Sequence, residues 1–130
     1  MTDKESLGAY RWQEAQETLA DAERMLQAGL SPRSIINRAY YAMFYATWAL
    51  LLHKGIAIKT SKHTGMISLF DREFVLTGIM DGRYSKIMHN LFLARQEHDY
   101  KEMVTSSPET AAQQVQYAKE FLSRVAEVLR

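Results

Sequence analysis

The chain has 130 residues, 47% hydrophobic and 24% charged. These values suit one globular domain with its own core and exclude a disordered tail or a linked pair of catalytic domains. It has no cysteine, so disulfides, thiolate metal sites and cysteine nucleophiles are all ruled out. The opening residues MTDKESLGAYRWQEAQ lack the apolar stretch of a signal peptide, and a cytoplasmic location is expected.

A formal net charge of +1 argues against a general nucleic-acid or membrane binder, but the charge is unevenly spread. No acidic residue occurs between Glu23 and Asp71, whereas Arg24, Arg33, Arg38, Lys54, Lys59 and Lys62 fall in that window, with His53 and His63 beside them. The window carries six positive charges against a net five negative elsewhere, so it can form a positive patch.

A first helix is predicted from about Leu7 to Ala28, where Trp12, Ala15, Leu19, Ala22 and Leu26 recur at steps of three and four, with Gly29 as its stop. The pairs Ser31-Pro32 and Ser107-Pro108 both read as helix starts. Serine accepts a bond from a free helix N–H, and proline at the first position forfeits none. A second helix, Pro32 to about His53, is apolar almost all round and is expected to be central. Asn37, Arg38, Thr47 and three tyrosines would be costly in lipid, which excludes a membrane span. A shorter third helix carries Met66, Ile67, Leu69, Phe70 and Phe74 and fades by Gly78, and Asp81-Gly82 marks a turn. The fourth helix is read from about Tyr84 to Tyr100, with Tyr84, Ile87, Leu91 and Ala94 in line, and the fifth from Pro108 to Arg130. No stretch alternates with a period of two, so the fold class is all-α, an up-and-down bundle of four long helices and one shorter helix.

There is no phosphate-binding glycine loop, zinc-binding His-Glu-x-x-His helix or Gly-x-Ser-x-Gly elbow, and neither cofactor nor metal is expected. Three polar clusters remain. Asn37, Arg38 and Tyr41 interrupt the apolar second helix. A guanidinium there requires a partner, either a carboxylate such as Asp99 or a ligand in a cleft. Lys59, Ser61, Lys62 and His63 lie in a loop entering a helix, a candidate phosphate site or simply a solvated cap. On the fourth helix, Arg95, His98 and Asp99 share a face one turn apart. They read either as a surface ion pair beside an exposed histidine or as a set able to cleave RNA without a metal. In that chemistry a base removes the 2′-OH proton while a cation steadies the developing phosphoryl charge.

Taken together, Asn37-Arg38-Ala39-Tyr40-Tyr41-Ala42-Met43-Phe44, the Lys59–Gly65 loop, and Arg95 with Asp99-Tyr100 resemble the small stand-alone HEPN proteins (higher eukaryotes and prokaryotes nucleotide-binding domain). The resemblance implies a helical bundle that dimerises, often encoded beside a minimal nucleotidyltransferase as a toxin–antitoxin pair. It also implies a cleft between subunits that binds RNA or nucleotide, lined by Asn37, Arg38, Tyr41 and Tyr100. In active family ribonucleases an arginine precedes a histidine by four to six intervening residues. Here Arg95 and His98 have two between them, and Asp99 falls near the expected histidine. Arg83 and His89 satisfy the spacing but lie well before the motif's place, and the match is read as coincidence. Tyr100 lies close to a tyrosine that related toxins have adenylylated by the partner transferase. The sequence thus leaves three readings, a toxin-type module acting on RNA as a homodimer, a non-catalytic module binding a nucleotide or nucleotidyltransferase, and a purely structural adaptor, which leaves Arg38 unexplained.

Overall fold

The computed structural model describes residues 3–59, 63–100 and 106–130, with side chains described throughout except at 97–100. Five α-helices follow one another as α1 (Asp3–Gln27), α2 (Pro32–His53), α3 (His63–Phe70), α4 (Gly82–Tyr100) and α5 (Pro108–Leu129), and no strand occurs among the described residues. A five-residue π-helical segment, Asp71–Val75, prolongs α3.

Both Ser-Pro pairs start helices. The side chain of Ser31 accepts from the Ser34 amide and that of Ser107 from the Thr110 amide, each with proline in the first turn. Two helices end through a glycine at positive φ. Gly29 (φ 70°) follows α1, where the Leu30 amide reaches back to the Met25 carbonyl. Gly55 (φ 81°) follows α2, where Ile56 donates to Leu51. Such six-residue closures satisfy helix-end carbonyls and need the left-handed conformation that glycine adopts without a Cβ clash.

Three boundaries depart from the sequence reading. α1 starts at Asp3 rather than Leu7, because Asp3 and Glu5 place negative charge on its first turn. α4 starts at Gly82 rather than Tyr84, because the Asp81 carboxylate accepts from the Arg83 amide at 2.8 Å and caps the new helix. The third helix passes into a widened turn in which the Leu76 amide donates to Asp71 five residues back. The widening buries Phe74 and leaves Leu76 81% exposed.

α2 is the hub and packs against α1, α5, α4 and α3. Ile35, Ile36, Ala39, Tyr40, Met43, Leu50 and Leu51 are buried along it. Alanines at 15 and 22 bring α1 close, while Val115, Ala118, Phe121 and Val125 carry α5. Phe121 meets Phe70 edge-on and lies against Tyr84, joining α3, α4 and α5. Thr47 is fully buried in α2, and its hydroxyl donates to the Met43 carbonyl, so its burial leaves no orphan donor. No described helix is long and apolar enough to cross a membrane.

Candidate functional site

Along one line of α2, the other helices do not close over the hub. Asn37, Arg38, Tyr41, Tyr45 and Trp48 are only half-buried there. Successive steps of three and four keep these residues on one face, so a helix that is otherwise core presents a single polar and aromatic stripe.

Two arginines from different helices converge on that stripe. The Arg38 guanidinium lies 5.4 Å from the centre of the Tyr41 ring. Arg95, on α4, lies 5.4 Å from the same ring and 5.6 Å from that of Tyr40. At these distances the ring quadrupole attracts each cation, and both guanidinium groups lie near the one Tyr41 ring. Among the described residues Arg38 is held by an amide rather than by a carboxylate. Its Nε and one Nη donate to the Asn37 side-chain oxygen at 3.2 and 2.9 Å. The amide fixes the guanidinium without neutralising its charge, and the Asp99 considered as its partner from sequence has its side chain outside the described residues.

His63 completes the cluster from the first residue of α3. Its ring stacks on Phe44 at 4.1 Å and on Tyr40 at 5.4 Å, and meets Tyr41 edge-on at 5.5 Å. Tyr40 Oη and His63 Nδ1 are 2.5 Å apart. Burial, and then the Arg95 charge, push the His63 pKa below its ordinary value. Burial also raises that of Tyr40, so the phenol stays neutral and His63 is neutral near pH 7. A neutral phenol and a neutral imidazole share this hydrogen bond, in which either group can supply the proton.

The three clusters of the sequence are therefore rearranged. Asn37, Arg38, Tyr41, Arg95 and His63 come together, and His63 leaves the loop to which it was assigned. Lys59 is exposed and borders a different cleft, of about 440 Å³, with Lys4, Trp48 and Ile58. Ser61 and Lys62 lie outside the described residues, as do the side chains of His98, Asp99 and Tyr100. Sequence reasoning took Tyr40 for one more core aromatic. The signal that could have marked it is a phenol at a position 1% exposed, which must find a polar partner. Arg83 and His89 do not meet in this site. Arg83 bonds Tyr84 and pairs with Glu120 of α5, while His89 pairs with Asp71 at 3.1 Å. Among the described residues no group of three or more His, Asp or Glu side chains could hold a metal ion.

These features define a small all-α domain built on a buried central helix, with an arginine-aromatic basin where that helix surfaces. The HEPN domain model matches residues 9–128, and the chain belongs to the HEPN family. It is 36% identical over 129 residues to a UPF0332 protein of Thermotoga maritima, covering 99% of this chain and 96% of the relative. It is 34% identical over 118 residues to a Methanocaldococcus jannaschii protein named "Putative toxin MJ0605", covering 89% and 84% respectively. Over 73 residues it is 42% identical to a UPF0332 protein of Pyrococcus horikoshii, covering 56% of this chain and 49% of that one.

Proposed function

We propose that this chain is a toxin-type HEPN module that binds RNA through the Asn37–Arg38–Tyr41–His63–Arg95 basin, working as a homodimer whose two basins border a shared cleft. The observation that carries this reading is the convergence of Arg38 and Arg95 on one tyrosine ring, each 5.4 Å from its centre. Two cations on an aromatic floor suit a ligand that combines phosphates with stacking bases. His63 adds an uncharged ring stacked within the same aromatic cluster. Family membership and the name borne by one relative support the toxin role.

In this reading Arg95 steadies the phosphoryl charge, His98 takes the 2′-OH proton, Asp99 orients it, and cleavage proceeds without a metal. The 2′-oxygen bonds to phosphorus as the phosphorus–5′-oxygen bond breaks, leaving a 2′,3′-cyclic phosphate, and the 5′-oxygen departs as a hydroxyl after taking a proton from water or from the protonated His98. A minimal nucleotidyltransferase is the proposed antitoxin partner, with Tyr100 as its target. The short interval between Arg95 and His98 favours a second reading, in which the same basin binds RNA or a nucleotide without cleaving it. Purified protein incubated with RNA in chelator, beside Arg95→Ala, separates the two. Cleavage lost on substitution supports catalysis, binding lost without any cleavage supports the second reading, and RNA binding indifferent to Arg95 overturns both.

A further inference from the structure

The cleft of about 440 Å³ that Lys59 borders is built differently from the basin. Its walls are Leu7 of α1, Trp48 and Leu52 of α2, and Ile56 and Ile58 of the extended residues after α2. Ile56 and Ile58 are half-buried and alternate with exposed Ala57 and Lys59, so the extended backbone turns both isoleucines to one side. Two charged side chains, Lys4 and Lys59, stand on this apolar lining, and no carboxylate lines it. Among the described residues neither ammonium has a hydrogen-bond or ion-pair partner. We infer that this cleft is a binding site for a monocarboxylate with a medium-length alkyl chain. The chain lies on the five apolar side chains, and the carboxylate is held by Lys4 and Lys59.

The lining selects this ligand class over the bare phosphate that the sequence left open for Lys59. A phosphate would meet the two ammonium groups and leave the apolar walls in water, whereas an alkyl chain gains by covering them. A nucleotide fits less well, because the Arg11 guanidinium already lies 4.0 Å over the Trp48 ring. That ring is a wall, with one face taken, and not an open platform for a base. Both lysines are exposed, so the carboxylate keeps contact with water at the mouth and avoids the cost of burying a charge. The lysine stems extend the apolar surface beneath it.

The volume lies within the range of roughly 300–1,000 Å³ that small-molecule sites occupy. None of Asn37, Arg38, Tyr41, His63 and Arg95 lines the cleft, so the inference stands apart from the RNA-binding reading. A second cavity, of about 370 Å³, shares Lys4 and Leu52 with the cleft but is bordered by Trp12 in place of Trp48. The chain has two tryptophans, one on each space, and their emission tells the two apart.

The test titrates the full chain with butanoate, octanoate and octan-1-ol and follows tryptophan fluorescence. Octanoate is expected to bind at least tenfold tighter than butanoate, since each methylene fully removed from water is worth about fourfold. It should also bind about tenfold tighter than the uncharged alcohol of the same length. The double variant Lys4→Gln, Lys59→Gln should bring octanoate down to the affinity of octan-1-ol and leave the alcohol within twofold. The response should persist in Trp12→Phe, where Trp48 is the reporter. Equal affinities for butanoate and octanoate would reduce the cleft to a simple anion site and overturn the inference. Equal affinities for octanoate and octan-1-ol would remove the role of the lysines and overturn it likewise. A response lost in Trp12→Phe and kept in Trp48→Phe would move the ligand to the neighbouring cavity, and no saturable binding of octanoate would dismiss the site altogether.

Discussion

Tyr40 and His63 are 23 residues apart in the chain, yet the phenol oxygen and the imidazole Nδ1 lie 2.5 Å apart beside their stacked rings. This bond fastens the first turn of α3 to the middle of α2. Tyr40→Phe keeps the ring stack and deletes only the hydroxyl. It should cost about 1 kcal/mol in urea-induced unfolding and weaken RNA binding severalfold as the His63 ring loses the bond that holds it. Unchanged stability and affinity would mean that the bond contributes to neither.

The depressed pKa of His63 makes stability depend on pH in a definite direction. Unfolded, the imidazole takes up a proton near its ordinary 6.5, whereas burial and Arg95 delay protonation in the native state. The unfolded chain therefore binds more protons as pH drops below 6.5, and its favoured population grows. Stability is full above that value, declines as pH falls toward the native pKa, and levels off once that is passed. Melting curves between pH 8 and 5 should show this decline for the wild type, and His63→Gln should lack that portion of it.

Arg95 acts through shape as well as charge, since a planar guanidinium lies against two tyrosine rings. Arg95→Ala should weaken RNA binding about tenfold, and Arg95→Lys should restore only part, because an ammonium keeps the charge but loses the flat, forked donor set. Equal affinities for the lysine variant and the wild type would reduce the role of Arg95 to charge alone.

Arg83 and His89 match the loose motif spacing but serve separate surface pairs with Glu120 and Asp71. Arg83→Ala and His89→Ala should each leave RNA binding within twofold of wild type and stability within about 1 kcal/mol, the usual worth of an exposed ion pair. Loss of binding in either variant would move the site to the opposite side of α4.

Phe121 is fully buried where α3, α4 and α5 meet. Phe121→Ala should cost about 3–5 kcal/mol in equilibrium unfolding, a large share of the stability of a domain this size.

The helices were legible because their signals are local. Ser31-Pro32 and Ser107-Pro108 carry their own capping chemistry, and the stripes of α1 and α5 repeat at helical spacing. The widened turn at Asp71–Val75 left no such trace, since the burial of Phe74 against residues distant in sequence decides it. The basin was legible in pieces. Asn37, Arg38, Tyr41 and Arg95 stood out as polar or charged residues on mostly apolar helices. That His63 belongs with them, and that Arg38 is held by its neighbour Asn37, depend on how α3 swings across α2. Spacing along one chain carries no information about that crossing.

The most deeply covered helix, α2, is followed by about seventy-five residues before α5, which packs against it, is complete. At a synthesis rate of roughly 5–20 residues per second, the face of α2 that α5 covers stays open at the ribosome for on the order of ten seconds. During that interval α1 shields one side, through the close alanine contacts at 15 and 22, and α3 and α4 cover more as they emerge. The nascent chain thus carries an oily strip along its central rod, and its escape from aggregation depends on how soon α5 arrives.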